Sequence, residues 1–246
     1  MSEHANVLTL CLAGPLQSWG ASSRFARRTT ERAPTKSGVL GLLAAAQGRD
    51  RSADVSDLAQ LRFAVRLDQP GTRMRDYQTA THGDTHKSMP ISERFYLADA
   101  VFVAAVEGDR NLIDALHKAV RAPVYLPFLG RRSCPPSRPL ALGVHRSGLW
   151  RALETERWQA SAWVQRRRIR ERRVELEALV DLTVGAERAE GPGDVVRDQP
   201  LSFDPRHRRY GTRTVRSHTV VVAHPLGTHR KPFTPPAHDP MSLLED

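Results

Sequence analysis

An α+β fold is predicted for this 246-residue chain: a ferredoxin-like split βαβ unit, a protruding β-hairpin and a smaller C-terminal appendage. Three observations predict it. Alternating apolar runs and 3.6-residue apolar stripes succeed one another as β-α-β and then, after an insert, again as β-α-β. The insert, residues 70–94, is too long for an ordinary connection between paired strands. Beyond residue 143 the periodicity weakens, which sets the appendage apart.

"VLTLCLAG" (7–14) alternates and stops at Gly14-Pro15, the signature of a strand followed by a turn. "KSGVLGLLAAAQG" then puts Val39, Leu42, Leu43 and Ala46 on one helical face, with Thr35 as N-cap. "RFAVRLDQPG" (62–71) is a second strand. The insert has strand-like ends (Arg73–Thr79) around a His82-Gly83-Asp84 tip, so it reads as a hairpin over 73–94. "FYLADAVFVAAVEGD" (95–109) is the strongest strand signal. "RNLIDALHKAV" follows as a helix capped by Asp109, with Leu112, Ala115, Leu116, Ala119 and Val120 on its apolar face. "PVYLPFLG" (123–130) completes the set as a short strand.

In the C-terminal part, Leu149–Arg173 reads as a helix ending in "RRRIRERR". Strands are expected at 174–185 and 213–224, joined by a turn-rich loop, "GPGDVVRDQPLSFDPRHRRYG" (191–211). The division is therefore 1–143, 144–224, and a proline-rich tail over 225–246 expected to be disordered.

A formal charge of +10 and a pI near 10.5 point to a polyanionic partner, nucleic acid first. Arginine supplies 33 of the 37 basic residues. GC-rich coding accounts for arginine over lysine, but not for the excess over 27 acids. Cys11 and Cys134 stand alone, without CxxC spacing, so neither a zinc site nor a disulfide framework is signalled. The run Val7–Leu12 is too short to span a membrane and lacks the basic flank of a signal peptide. A cytoplasmic protein with no membrane partner is expected.

Two stretches present chemistry for phosphate. A helix N-terminus offers unpaired N–H groups and about half a positive charge. Lys36 at that end is unfavourable by ~0.3–1 kcal/mol unless an anion sits there. With the Thr35 and Ser37 hydroxyls it could hold a phosphate, or it could be a surface lysine binding nothing. In "LGRRSCPP" (129–136), Gly130 permits close backbone approach, while Arg131 and Arg132, next to Ser133, could clamp phosphate or stack on bases. The alternative is a solvated basic turn. "SSRFARRTTER" (22–32) adds Arg24, Arg27 and Arg28. His82 and His86, with Asp84 between them, sit on a loop tip without the helical geometry that metal spacing needs. Tyr77, His82, His86 and Lys87 hold groups from which metal-free RNA cleavage could be built, although such residues on a loop more often bind.

"LAGPLQSWG" (12–20), "PTKSGVLGLLAAAQGR" (34–49), "RDYQT" (75–79), "RFYLADAVFVAAV" (94–106) and "FLGRRSCPPSRPLALG" (128–143) occur in one order and spacing. Together they resemble the CRISPR-associated Cascade subunit CasD family of the type I-E system. The similarity covers most of residues 7–143, and "VRDQPLSFDPRHRRYGTR" (196–213) agrees more loosely. The resemblance implies a RAMP-superfamily protein with a thumb-like hairpin, non-catalytic and without cofactor or metal. It implies a grip on the 5′ handle of a guide RNA at the end of a CasC filament, beside CasA. Target DNA would be met through the assembled complex, where guide pairing reads sequence and protein reads backbone. The RNA-binding candidates are then Arg24, Arg27, Thr35, Lys36, Ser37, Arg75, Tyr77, Gln78, Thr79, His86, Lys87, Arg94, Gly130, Arg131, Arg132 and Ser133. In a related subtype the equivalent subunit is itself the guide-processing ribonuclease, so cleavage of repeat RNA stays as the alternative.

Overall fold

The computed structural model describes residues 5–20, 27–182 and 193–227. Its centre is β1 (Ala5–Ala13), antiparallel to β7 (Val101–Asp109) on one side and to β8 (Ala141–His145) on the other. β7 also pairs antiparallel with β4 (Arg62–Gln69), giving the local order β4-β7-β1-β8. On the far side of β4 come β9 (Arg173–Asp181), β11 (Arg209–Ala223) and β10 (Asp194–Ser202), so one seven-stranded sheet runs through the molecule. The fold is mixed α+β, and all the pairings within this sheet are antiparallel.

Val7 to Ala13 is buried without a break because helices cover the sheet on both faces. On one face α1 (Lys36–Ala46) and α3 (Arg110–Arg121) close over Leu8, Leu10, Phe63 and Phe102. On the other, α4 (Leu149–Thr155) and Trp158 pack on Val7, Ala64, Val103 and Val174. α1 begins where predicted: the Thr35 hydroxyl accepts the Gly38 N–H at 3.2 Å. α3 is capped by Asp109, whose carboxylate accepts from Asn111 and Leu112. Its buried stripe is Ile113, Leu116 and Val120, whereas Ala115 of the expected face is exposed. Among the described residues no helix is long and apolar enough to cross a membrane.

A second, small sheet stands off the first. β5 (Thr72–Gln78) and β6 (Ser92–Ala98) form an antiparallel hairpin from Thr72↔Ala98 to Gln78↔Ser92, carried further by a Thr81↔Ser88 bridge. On the other side of β6 lie β2 (Leu16–Gln17) and, in parallel, β3 (Arg27–Arg28). The arm expected over 73–94 is this hairpin.

Four expectations need correction. The run 95–109 is two strands, broken at Asp99 (φ 55°), where the chain leaves the arm and enters the main sheet. Residues 123–130 are not a strand: Pro123 and Pro127 lack the N–H a ladder needs, and Val124 N–H goes instead to the Ala46 carbonyl at the end of α1. The strand paired to β1 is β8, further on. The helix expected over 149–173 is α4 and α5 (Ala162–Arg167), with an irregular segment between. Its cause is Arg66, fully buried in the sheet: paired with Asp68, it donates to the carbonyls of Leu153, Glu156 and Arg157 and so holds that backbone open. Finally, the loop expected over 191–211 contains β10. The expected tail lies, from residue 228 on, outside the described residues.

Candidate nucleic-acid interface

Three separate stretches of sequence meet in one cleft of about 410 Å³. Ser18, Trp19 and Gly20 form its floor, the start of α1 (Thr35, Ser37, Gly38) one wall, and the Gly130-Arg131 turn another. Arg28, Arg208 and Tyr210 close the rim, so among the described residues three arginines and no carboxylate line it. The close fit explains the glycines. A side chain on Gly130, at φ 83°, would start 1.7 Å from the Ser18 carbonyl oxygen, and one on Gly38 would strike the buried Trp19 ring at 2.9 Å. Ser18 N–H bonds the Leu129 carbonyl at 3.1 Å, which docks the turn on the floor.

Arg131 is held but not satisfied. Its guanidinium lies 4.6 Å from the Tyr96 ring centroid, and one nitrogen donates to the Arg28 carbonyl at 2.9 Å. Among the described residues its Nη1 is buried without a hydrogen-bond partner, and so is Nε of Arg94. The register pairs Arg28 with Arg94, two residues before Tyr96, so Arg28, Arg94 and Tyr96 share the face of the small sheet on which Arg131 rests. Leaving a buried N–H unmet costs roughly 1–3 kcal/mol. Two such donors next to an arginine-lined cleft make a site that an anion would complete.

Lys36 is placed differently from the expectation. Its side chain is buried, with Nζ 3.4 Å from Asp181. The α1 mouth is already occupied: Asp198 accepts the Lys36 backbone N–H at 2.7 Å. Arg213 bridges the two carboxylates, reaching Asp198 at 2.6 and 2.9 Å and also pairing with Asp181. Two cations and two anions thus balance inside the protein. Burial pulls the Lys36 ammonium below the ordinary lysine range, against the opposing pull of Asp181. The anion that stabilises this helix end belongs to the chain itself.

The arm carries the remaining candidates outward. Arg75 and Tyr77 are exposed on one face of β5, their ring-to-guanidinium distance 4.9 Å, and Arg73 and Arg27 flank Phe95 on that same face. Gln78 is tied to Asp76, and Thr79, His86 and Lys87 are exposed toward the tip. There the His82 ring accepts the N–H groups of Asp84 and Thr85 at 3.3 Å. Arg132 and Ser133 are exposed beside the cleft, and Arg24 lies outside the described residues. Among the described residues no group of three or more His, Cys, Asp or Glu side chains could hold a metal. The structure therefore brings together Thr35, Ser37, Gly130 and Arg131, and leaves Lys36 inside. The sequence reading omitted Ser18, Trp19, Arg208 and Tyr210 from the site. The first two sit in a quoted motif, while the last two lie in a turn-rich, arginine-rich loop whose resemblance to the family is looser.

The family described as CRISPR-associated protein (Cas_Cas5) matches residues 7–216. The CRISPR system Cascade subunit CasD of Escherichia coli (strain K12) is 40% identical over 156 residues, which span 55% of this chain and 70% of that protein. A solved structure described as a crystal structure of a Cas protein superposes with a TM-score of 0.68 at 37% identity, covering 89% of this chain and 99% of the other. Another, described as a CRISPR RNA-guided surveillance complex, gives 0.66 at 30% identity, covering 89% and 92%.

Proposed function

This chain belongs to the CRISPR-associated protein (Cas_Cas5) family, and from that premise we propose that it is the non-catalytic subunit of a type I-E Cascade complex that grips the 5′ handle of the guide RNA. The observation that carries the reading is the arginine-lined cleft with two buried donors unmet among the described residues, on Arg131 in its wall and on Arg94, the strand neighbour of Arg28. Handle phosphates satisfy those donors, Ser37 and the Gly130 turn let the backbone approach, and Tyr210 at the rim stacks on a base. The exposed arm, with Arg75, Tyr77, Gln78, Thr79, His86 and Lys87, acts as the thumb that closes over the RNA. Lys36 acts from inside, holding α1 in place through Asp181.

The order β4-β7-β1-β8 with α1 and α3 on one face supports a ferredoxin-like unit of the RAMP kind. The division into an RNA-gripping unit over 1–143 and a smaller unit over 144–224 is kept as a functional one, since the two share a sheet. The chain caps a CasC filament beside CasA, in the cytoplasm, and meets target DNA through the assembled complex.

Cleavage by Tyr77 with His82, His86 and Lys87 is disfavoured by their spacing. Tyr77 sits at the Glu93 rung, and His86 lies beyond the Thr81↔Ser88 bridge. Four residues separate rung from bridge, about 13 Å at the rise of an extended chain. A base and an acid acting on one phosphate need to be closer than that.

Binding of handle RNA to the purified chain tests the proposal. Arg131→Ala and Arg94→Ala should each weaken binding and lower the salt slope by about 0.7 per lost phosphate contact. Equal loss from Arg121→Ala, at the far end of α3, would show that charge is read in bulk and would remove the site from the cleft. Incubation with repeat RNA, with or without divalent metal, should give no discrete cut. A single cut abolished by His86→Ala would reinstate the nuclease.

A further inference from the structure

Residues 162–173, "AWVQRRRIRERR", hold six arginines and one carboxylate, and they lie away from the cleft. α5 closes the sheet face opposite α1 and α3, with Val164 packed on the core that contains Trp158. Hydrogen bonds sort this segment into two sides. Gln165 Nε2 donates to the carbonyls of Trp158 and Ala160 at 3.3 and 2.8 Å, and the Gln165 carbonyl meets His224 Nε2 at 3.0 Å. Arg168 lies over the Trp158 ring at 5.4 Å and donates twice to Glu171, at 2.7 and 2.5 Å. Val164, Gln165 and Arg168 are thus the inner side.

The outer side is Trp163, Arg166 and Arg167, at i, i+3 and i+4, continued by Arg170 at i+7 in the turn after the helix. All four are exposed, Trp163 by 49%, and the Arg167 guanidinium stands 5.9 Å from the Trp163 ring centroid. Among the described residues no ion pair engages Arg166, Arg167 or Arg170, and the one acid of the run is taken by Arg168. Charge alone would keep this surface solvated. An indole half open to water, with the Arg167 guanidinium near its ring and two further exposed guanidiniums beside it, adds a stacking surface, and that pairing of features suits unpaired bases on a phosphate backbone.

We propose that this face is a second nucleic-acid site, binding single-stranded nucleic acid with phosphates on Arg166, Arg167 and Arg170 and one base stacked on Trp163. A duplex would offer the phosphates but no free base face, and an acidic protein would offer charge without a base. The site goes beyond handle binding, because it stands on the opposite face of the sheet from α1 and the cleft.

The test uses the full chain saturated with unlabelled handle RNA and titrated with labelled oligo-dT of about 12 nucleotides, within the range that single-strand binders cover. Oligo-dT should still bind, raising anisotropy and quenching tryptophan emission. Trp163 is the most accessible indole: Trp19 and Trp158 are 1% and 2% exposed, and Trp150 is half-buried against His218. Trp163→Ala should weaken binding by about tenfold and abolish the quench. Trp163→Phe, which keeps a ring, should restore most of the affinity, with circular dichroism confirming that both variants fold. Arg166→Ala with Arg167→Ala should lower the salt slope by about 1.4. Arg131→Ala should leave oligo-dT affinity unchanged. Absence of oligo-dT binding, equal loss with Phe and Ala, or tighter binding of a duplex of the same length would each overturn the site. If handle RNA itself does not bind, the handle reading falls, and the oligo-dT titration still decides this one.

Discussion

Gly130 and Asp198 show what single residues decide. A Cβ at Gly130 meets the Ser18 carbonyl, and the backbone there is left-handed, so Gly130→Ala must displace the turn that carries Arg131. Such strain costs of order 1–3 kcal/mol. Handle binding should fall with it, as filter binding beside a urea titration would show. Asp198→Ala leaves Arg213 with Asp181 alone and uncaps the α1 mouth, and should cost about 3–5 kcal/mol. Lys36→Ala should cost less, because Asp181 keeps Arg213 and the Phe63 N–H. Chemical denaturation ranks the two, and the reverse order would mean that the lysine, not the carboxylate, organises the cluster. The sequence drew attention to Lys36 correctly as a residue needing an anion. It could not show which, because Asp198 lies 162 residues away. The cysteines give a simpler expectation. Burial pushes the Cys11 thiol up to about 11 and raises Cys134 too. Native protein at pH 8 should leave both unlabelled by iodoacetamide, and unfolding should expose two.

Elements were legible where local signals and tertiary packing agree. α1 and α3 have their caps and stripes in the sequence itself, and the arm's strand-like ends flank an obvious tip. Three segments were not legible, each for a non-local reason. The break at Asp99 separates two sheets that a continuous apolar run cannot distinguish. The gap between α4 and α5 is dictated by Arg66, far earlier in the chain. β10 looks like a loop because Pro200 interrupts it, which an edge strand tolerates. The arm is separable by the same logic. Most of residues 72–91 is exposed, so replacing Asp76–Ser92 with a short Gly-containing turn leaves four rungs, Thr72↔Ala98 to Arg75↔Phe95, and costs little loop-closure entropy. The shortened protein should melt within a few degrees of the parent by circular dichroism yet fail to retain guide RNA. An unfolded product would mean that the arm supports the core.

At the scale of the whole molecule, the seven-stranded sheet has one junction that no single unit owns, where β4 meets β9 through Ala64↔Val180, Val65↔Leu179 and Arg66↔Ala178. A fragment ending at residue 143 would bare that edge, together with Val7, Ala64, Val103 and Ala105, which α4 and the Trp158 segment cover. It should be recovered as aggregate, whereas the full chain should be soluble; a monomeric fragment on gel filtration would show that the first unit is self-sufficient. The junction also bears on how the protein is made. A ribosome releases β4 about 110 residues before β9, roughly ten seconds at ordinary elongation rates. Throughout that interval a strand buried in the finished fold waits with at least one side unpaired, open to neighbouring nascent chains. The arginine-rich stretch at 166–173 emerges just ahead of β9, so the growing chain gains a strongly charged, soluble segment immediately before the strand that closes the edge.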